Sequence, residues 1–92
     1  MPEPTTEITL IQSPGCHLCA DARATLEDLG TRYRLAVLTV DAPSPEGLAL
    51  VARHRPALQP LVLVNGLPFS AGRLPRRKLE RYLNERAGEA AS

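Results

Sequence analysis

The run Leu61-Val62-Leu63-Val64 admits few folds. Successive residues of a strand point to opposite faces, and here both faces are apolar, so the strand must be covered on each side. Asn65-Gly66 follows at once, the pair best suited to a two-residue hairpin turn of the I′ type. Residues 67–70 would therefore return antiparallel. Pro68, having no N–H to give to a ladder, confines that strand to an edge. A doubly covered strand beside an edge strand calls for helices in two layers.

The rest of the chain supplies them. Ile8-Thr9-Leu10-Ile11 reads as a buried strand that stops at Ser13-Pro14-Gly15. From Cys16 onward, Leu18, Ala22, Leu26 and Leu29 recur at helical spacing, with Asp21, Arg23, Glu27 and Asp28 between them and Gly30 at the C′ position. Residues 33–40 read as a second strand, ended by Asp41 and the Pro43-Ser44-Pro45 cluster. Ser44 caps a second helix with Pro45 at its first position, running to about His54. A loop over residues 56–59 leads to the apolar strand and its hairpin. Residues 75–86 then form a basic amphipathic helix, with Leu79, Tyr82, Leu83 and Arg86 on one side and Gly88 closing it. The order is β-α-β-α-β-β-α. Right-handed crossovers predict three parallel neighbouring strands and an antiparallel fourth, an α/β fold whose four-stranded mixed sheet has helices on both faces. Ninety-two residues suit one domain, 1–92, with an ordered core over about residues 7–86 and ends expected to fray.

Eleven basic and ten acidic side chains leave a net charge of +1, so no global field draws the chain to nucleic acid or to an anionic membrane. The longest apolar runs, residues 35–40 and 61–64, fall far short of the roughly 20 residues that cross a bilayer. The first seven residues lack the basic and apolar regions of a secretory signal, so a cytoplasmic protein is expected, and a monomer is expected as its state. In a reducing compartment a close cysteine pair is more often catalytic or metal-binding than structural.

The pair here is Cys16 and Cys19, set between the first strand and the first helix. The free N–H groups and positive dipole end of a helix N-terminus favour an anion and lower a thiol pKa. Cys16 is therefore the expected nucleophile. Cys19, three residues on, shares its helix face at about 5–6 Å between Cβ atoms, close enough to act as the resolving thiol.

With C-x-x-C after the first strand, the Gln59-Pro60 bond opening the third, and Leu61-Val62-Leu63-Val64-Asn65-Gly66 entering a hairpin, the chain resembles the glutaredoxins and other small thioredoxin-fold proteins over about residues 7–86. The resemblance implies a thioredoxin-like, glutaredoxin-type fold. It also implies a cis peptide bond at Pro60 facing Cys16, with the backbone of Gln59 turned towards an incoming disulfide, where it could pair with a substrate as an added strand. Gly15 would permit close approach of that substrate, and His17, between the thiols, would border it. The implied activity is thiol–disulfide oxidoreduction without a bound cofactor. Its substrates would be protein disulfides or low-molecular-weight thiol compounds, with glutathione or a reductase as possible electron donor.

Several family positions differ. Glutathione-handling glutaredoxins have a basic residue three before the first cysteine, Thr-Val before the proline, and Gly-Gly followed by Asp after the hairpin. This chain has Ser13, Leu58-Gln59, and Ser70-Ala71 with Arg73. Arg73 would repel the glutathione amine that the Asp attracts. His17-Leu18 also replaces the usual Pro between the cysteines, which bears on redox poise. Other uses of the pair stay open on sequence grounds. They are a glutathione-dependent monothiol route, a metal or iron–sulfur carrier using Cys16 and Cys19 as ligands, and an adaptor that keeps the fold without the chemistry. Zinc prefers four ligands, and only His17 and the distant His54 could be added to the two thiols within one chain. The basic residues Arg73, Arg76, Arg77, Lys78 and Arg81 form a solvated face or one that steers an acidic partner.

Overall fold

A computed structural model of the protein describes residues 5–91; the expected fraying of residues 1–4 and 92 lies outside them. Its elements are β1 (Thr6–Gln12), α1 (His17–Leu29), β2 (Leu35–Asp41), α2 (Pro45–His54), β3 (Leu61–Val64), β4 (Leu67–Ala71) and α3 (Arg76–Ala91). The sheet order is β2-β1-β3-β4. The predicted element order and mixed α/β sheet are therefore what the chain forms.

The two-residue period of the strands divides the core. Ile8, Leu10, Val62 and Val64 point to one face, where Ala22, Leu26 and Leu29 of α1 and Leu79 and Leu83 of α3 bury them. Ile11, Leu61 and Leu63 point to the other, with Val40 of β2, under Leu50 and Val51 of α2. All four residues of β3 are buried, as an unbroken apolar run requires. The side chains are Leu, Ile, Val and Ala almost throughout, each large one contributing about 1.5–3 kcal/mol when fully buried.

One pairing differs from the prediction. β2 runs parallel to β1, but β3 runs antiparallel to β1, with Leu61 opposite Ile11 and Val64 opposite Ile8. A parallel third strand needs a connection that travels back along the whole sheet. Here the connection leaves and re-enters at the same end. Ser44 caps α2, accepting the Gly47 N–H at 3.0 Å and donating to the Asp41 carbonyl at 2.6 Å. Gly47 is buried against the backbone of Asp41 and Ala42, so the first turn of α2 rests on the end of β2. Arg55 then takes a left-handed conformation (φ 46°), and the loop over residues 56–60 brings the chain to Leu61 beside the end of β1.

Other boundaries moved for local reasons. Residues 33 and 34 precede β2, because the N–H groups of Thr31, Arg32 and Tyr33 bond the carbonyls of Asp28 and Leu29 and complete the exit from α1. Gly30 is accordingly a right-handed C-cap (φ −65°), not a left-handed C′ residue. The buried stripe of α1 begins at Cys19 and continues through Ala22, Leu26 and Leu29; Leu18 stands beside it, half-buried. Thr6, expected in the fraying end, is buried in β1 and accepts a hydrogen bond from Arg86 Nε at 3.1 Å. α3 runs through Gly88 to Ala91, since nothing there stops it. The hairpin has the predicted turn, with φ 50° at Asn65 and 83° at Gly66. β4 is the predicted edge strand, and the pairing slips between Val62 and Leu63 so that Phe69 is an extra residue.

Candidate active site

β1 is central in the sheet and delivers its C-terminal end, Gln12, to the turn Ser13-Pro14-Gly15. Gly15 has φ 71°, a conformation that side-chain-bearing residues rarely adopt, and a Cβ there would meet no atom within 4 Å. Backbone conformation is the demand at Gly15, and the space above it is open. The turn hands the chain to α1 with Cys16 as the N-cap (φ −86°, ψ 113°). Its Sγ accepts the backbone N–H of Cys19 at 3.1 Å, the place a serine or aspartate oxygen takes in ordinary caps. The Ala20 N–H bonds the Cys16 carbonyl at 3.2 Å and starts the helical ladder.

Cys16 and Cys19 are joined by a disulfide, with Cα atoms 5.2 Å apart. The two sulfurs are not equivalent. Cys16 is half-buried at the mouth of the helix, whereas Cys19 is 1% exposed and part of the apolar stripe. An external thiol or disulfide can reach the first residue far more readily than the second. Reduction of the bond would leave Cys16 Sγ at the positive end of the α1 dipole with an N–H already directed at it, and both favour thiolate over thiol.

A cleft of about 490 Å³ opens beside the disulfide. Gly15, Cys16, His17 and Cys19 line it, joined by Gln12, Arg23, Asp41 and Pro43 from the facing strand ends and α1. His17 is exposed at the first position of α1. The Gln59–Pro60 bond is cis, and Pro60 is fully buried, its carbonyl accepting the Gly72 N–H at 2.9 Å. It opens β3, the strand next to β1, at the sheet end where β1 stops. Gln59 and Pro60 thus flank the cysteine turn from the β3 side and do not line the cleft, which lies on the β2 side. Of the residues singled out from sequence, Gly15, Cys16, His17 and Cys19 meet in one cavity, and Gln59 and Pro60 stand outside it, across β1.

Gln12, Arg23, Asp41 and Pro43 were not foreseen. One sequence signal could have found Arg23, which stands one helical turn beyond Cys19; Asp41 reaches the cleft only through its register with Gln12 across the parallel strands, and Pro43 follows it. Leu58, the residue before Gln59, is 62% exposed, with its side chain over Gly72. The basic cluster is partly committed elsewhere. Arg76 bridges Asp28 of α1 and Glu80 of its own helix, and Lys78 lies over the Phe69 ring at 5.1 Å. Arg73 lines a separate groove with Leu18 and Asp21. Among the described residues, no three His, Cys, Asp or Glu side chains are grouped as a metal ion would need.

Residues 7–84 match the glutaredoxin-like domain (DUF836). The chain belongs to that family. A glutaredoxin-like, thioredoxin-fold chain with a Cys16–Cys19 pair is consistent with redox function. Solved structures carry the fold further afield. A reduced thioredoxin pre-protein of Schistosoma mansoni superposes with a TM-score of 0.65 at 15% identity, covering 87% of this chain and 77% of that one. Thioredoxin-2 of the malaria parasite, described as a component of its protein secretion machinery, gives 0.65 at 17% identity, covering 88% and 82%. A mutant thioredoxin from Halobacterium salinarum gives 0.63 at 15%, covering 89% and 74%. None of the curated proteins matches the chain. No helix among the described residues of this glutaredoxin-like protein is long and apolar enough to cross a membrane.

Proposed function

We propose that the protein is a dithiol thiol–disulfide oxidoreductase that reduces protein or small-molecule disulfides through a Cys16/Cys19 cycle. The Cys16 thiolate attacks one sulfur of the substrate disulfide, forming a mixed disulfide and expelling the first substrate thiolate. The Cys19 thiolate then attacks Cys16 Sγ, closing the intramolecular disulfide and expelling the second. Two electrons pass from the protein to the substrate. A thiol reductant restores the pair, and no bound cofactor takes part.

The observation that carries this reading is the asymmetry of the pair: Cys16 caps the helix and is half-buried, and Cys19 is fully buried three residues behind it. On the β3 side, the backbone around Gln59 and Pro60 is the wall along which an extended substrate segment would lie. Arg73, at the place where glutathione-binding relatives have an acid, favours a dithiol route over a glutathione-dependent monothiol one. The test uses two variants and a disulfide substrate. Cys16→Ser should abolish reduction, and Cys19→Ser should accumulate a mixed disulfide visible by intact mass and released by dithiothreitol. Full activity in Cys16→Ser would refute the assignment.

A further inference from the structure

Two opposite charges line the cleft beside Cys16 without neutralising each other. Arg23 projects from α1 and Asp41 ends β2, and both contribute to the same 490 Å³ cavity. The ion pairs formed among the described residues join Arg32, Arg76, Asp28 and Glu80, so Arg23 and Asp41 share no bridge. The volume lies within the roughly 300–1,000 Å³ of small-molecule sites, and among the described residues the sulfurs that line it are those of Cys16 and Cys19.

Asp41 is also held in place. Its Oδ1 accepts from Gln12 Nε2 at 3.3 Å, and its carbonyl accepts from the Ser44 N–H at 3.0 Å and hydroxyl at 2.6 Å. Gly47 is packed against its backbone. The second carboxylate oxygen remains for a ligand, and a fixed acceptor costs less ordering on binding than a mobile one. A peptide disulfide presents neutral amides next to its sulfurs and has no use for an unbridged cation and anion at this place. A free amino-acid thiol presents an ammonium and a carboxylate on the carbon next to the sulfur-bearing one.

We infer that this cleft receives the charged end of a small amino-acid-type disulfide, with its ammonium at Asp41 and its carboxylate at Arg23 while Cys16 attacks its sulfur. The inference rests on the dithiol reading above and names a substrate class for it. Electrons follow the same path: Cys16 and Cys19 supply two, and the disulfide leaves as two thiols.

The experiment follows oxidation of the pre-reduced protein, by quenched alkylation and mass, with four probes: cystine, cystamine, dithiodipropionate and bis(2-hydroxyethyl) disulfide. Each rate is divided by the rate at which dithiothreitol reduces the same probe, which removes differences in leaving-group thiol. Relative to the neutral hydroxyethyl probe, cystine should react about five- to tenfold faster, as two exposed charge contacts allow. Arg23→Gln should lower the ratios for cystine and dithiodipropionate but not for cystamine. Asp41→Asn should lower those for cystine and cystamine but not for dithiodipropionate. A cystine ratio near one in the unmodified protein, or variants that shift all probes alike, would overturn the inference and leave the dithiol reading standing. Failure of the hydroxyethyl probe to oxidise the protein at all would overturn both.

Discussion

Gly47→Ala sets two physical effects against each other. On helix propensity alone, alanine in the first turn of α2 should stabilise the protein by about 0.5–1 kcal/mol. The packing says the reverse. A Cβ at this position would lie deep inside contact distance of the Asp41 carbonyl oxygen, 2.7 Å from the Ala42 oxygen and 2.8 Å from its Cα. These are backbone atoms, held by the Ala42 N–H bond to Gln12 at 2.7 Å and by the Ser44 bonds to Asp41, so they cannot swing aside. α2 must lift from the end of β2. Overpacking of this kind costs about 1–3 kcal/mol, and loosening the Ser44 cap about 1 more, which leaves a net loss of roughly 1–3.5 kcal/mol after the propensity gain. In a chain of this size that lowers Tm by roughly 5–25 °C. Urea unfolding of the oxidised protein by far-UV circular dichroism measures it, the chain having no Trp. Gly88→Ala, in an exposed turn of α3 with open space around the site, is the control and should stabilise by up to about 1 kcal/mol. Equal stabilisation by both substitutions would refute the seating of α2 on β2.

Acid should weaken the ion pairs of Glu80, one to Arg76 within α3 and one to Arg32 in the turn after α1. The hydrogen bond from Arg76, with added attraction from Arg76 and Arg32, holds the Glu80 carboxyl below its ordinary value of 4.5 despite partial desolvation. Its stabilising effect is therefore present above that value and lost as pH falls through the lower folded one. The stability difference between the unmodified protein and Glu80→Gln should shrink between about pH 5 and pH 3, as measured by urea midpoints. Leu79, fully buried between α3 and the sheet, should cost about 2–5 kcal/mol when changed to Ala, and equilibrium unfolding would show a smaller loss if α3 were loosely docked.

Much of this architecture is legible residue by residue. Leu61 to Val64 states its double burial, Asn65-Gly66 its turn, Ser44-Pro45 the start of α2, and Cys16 the mouth of α1. The direction of β3 is not legible in the same way. It depends on whether the chain after β2 crosses the sheet or turns back, and that was decided by a tight contact at Gly47 and a left-handed Arg55, neither of which shows in hydrophobic period. The buried stripe of α1 starts one residue later than the apolar period implies, because Cys19, which its chemistry singles out, is also a core residue. The cleft was missed for a related reason: Arg23 and Asp41 lie on different elements, and only the parallel register of β1 with β2 brings Asp41 beside Gln12 and the cysteine turn.

The chemistry proposed for this site depends on the Cys16 sulfur being an anion near neutral pH. The most direct measurement is the pH dependence of alkylation of Cys16 in the reduced protein, with Cys19→Ser to isolate the signal. The capping N–H of Cys19 and the dipole of α1 predict a midpoint clearly below the ~8.5 of free cysteine. A midpoint at or above that value would contradict the account.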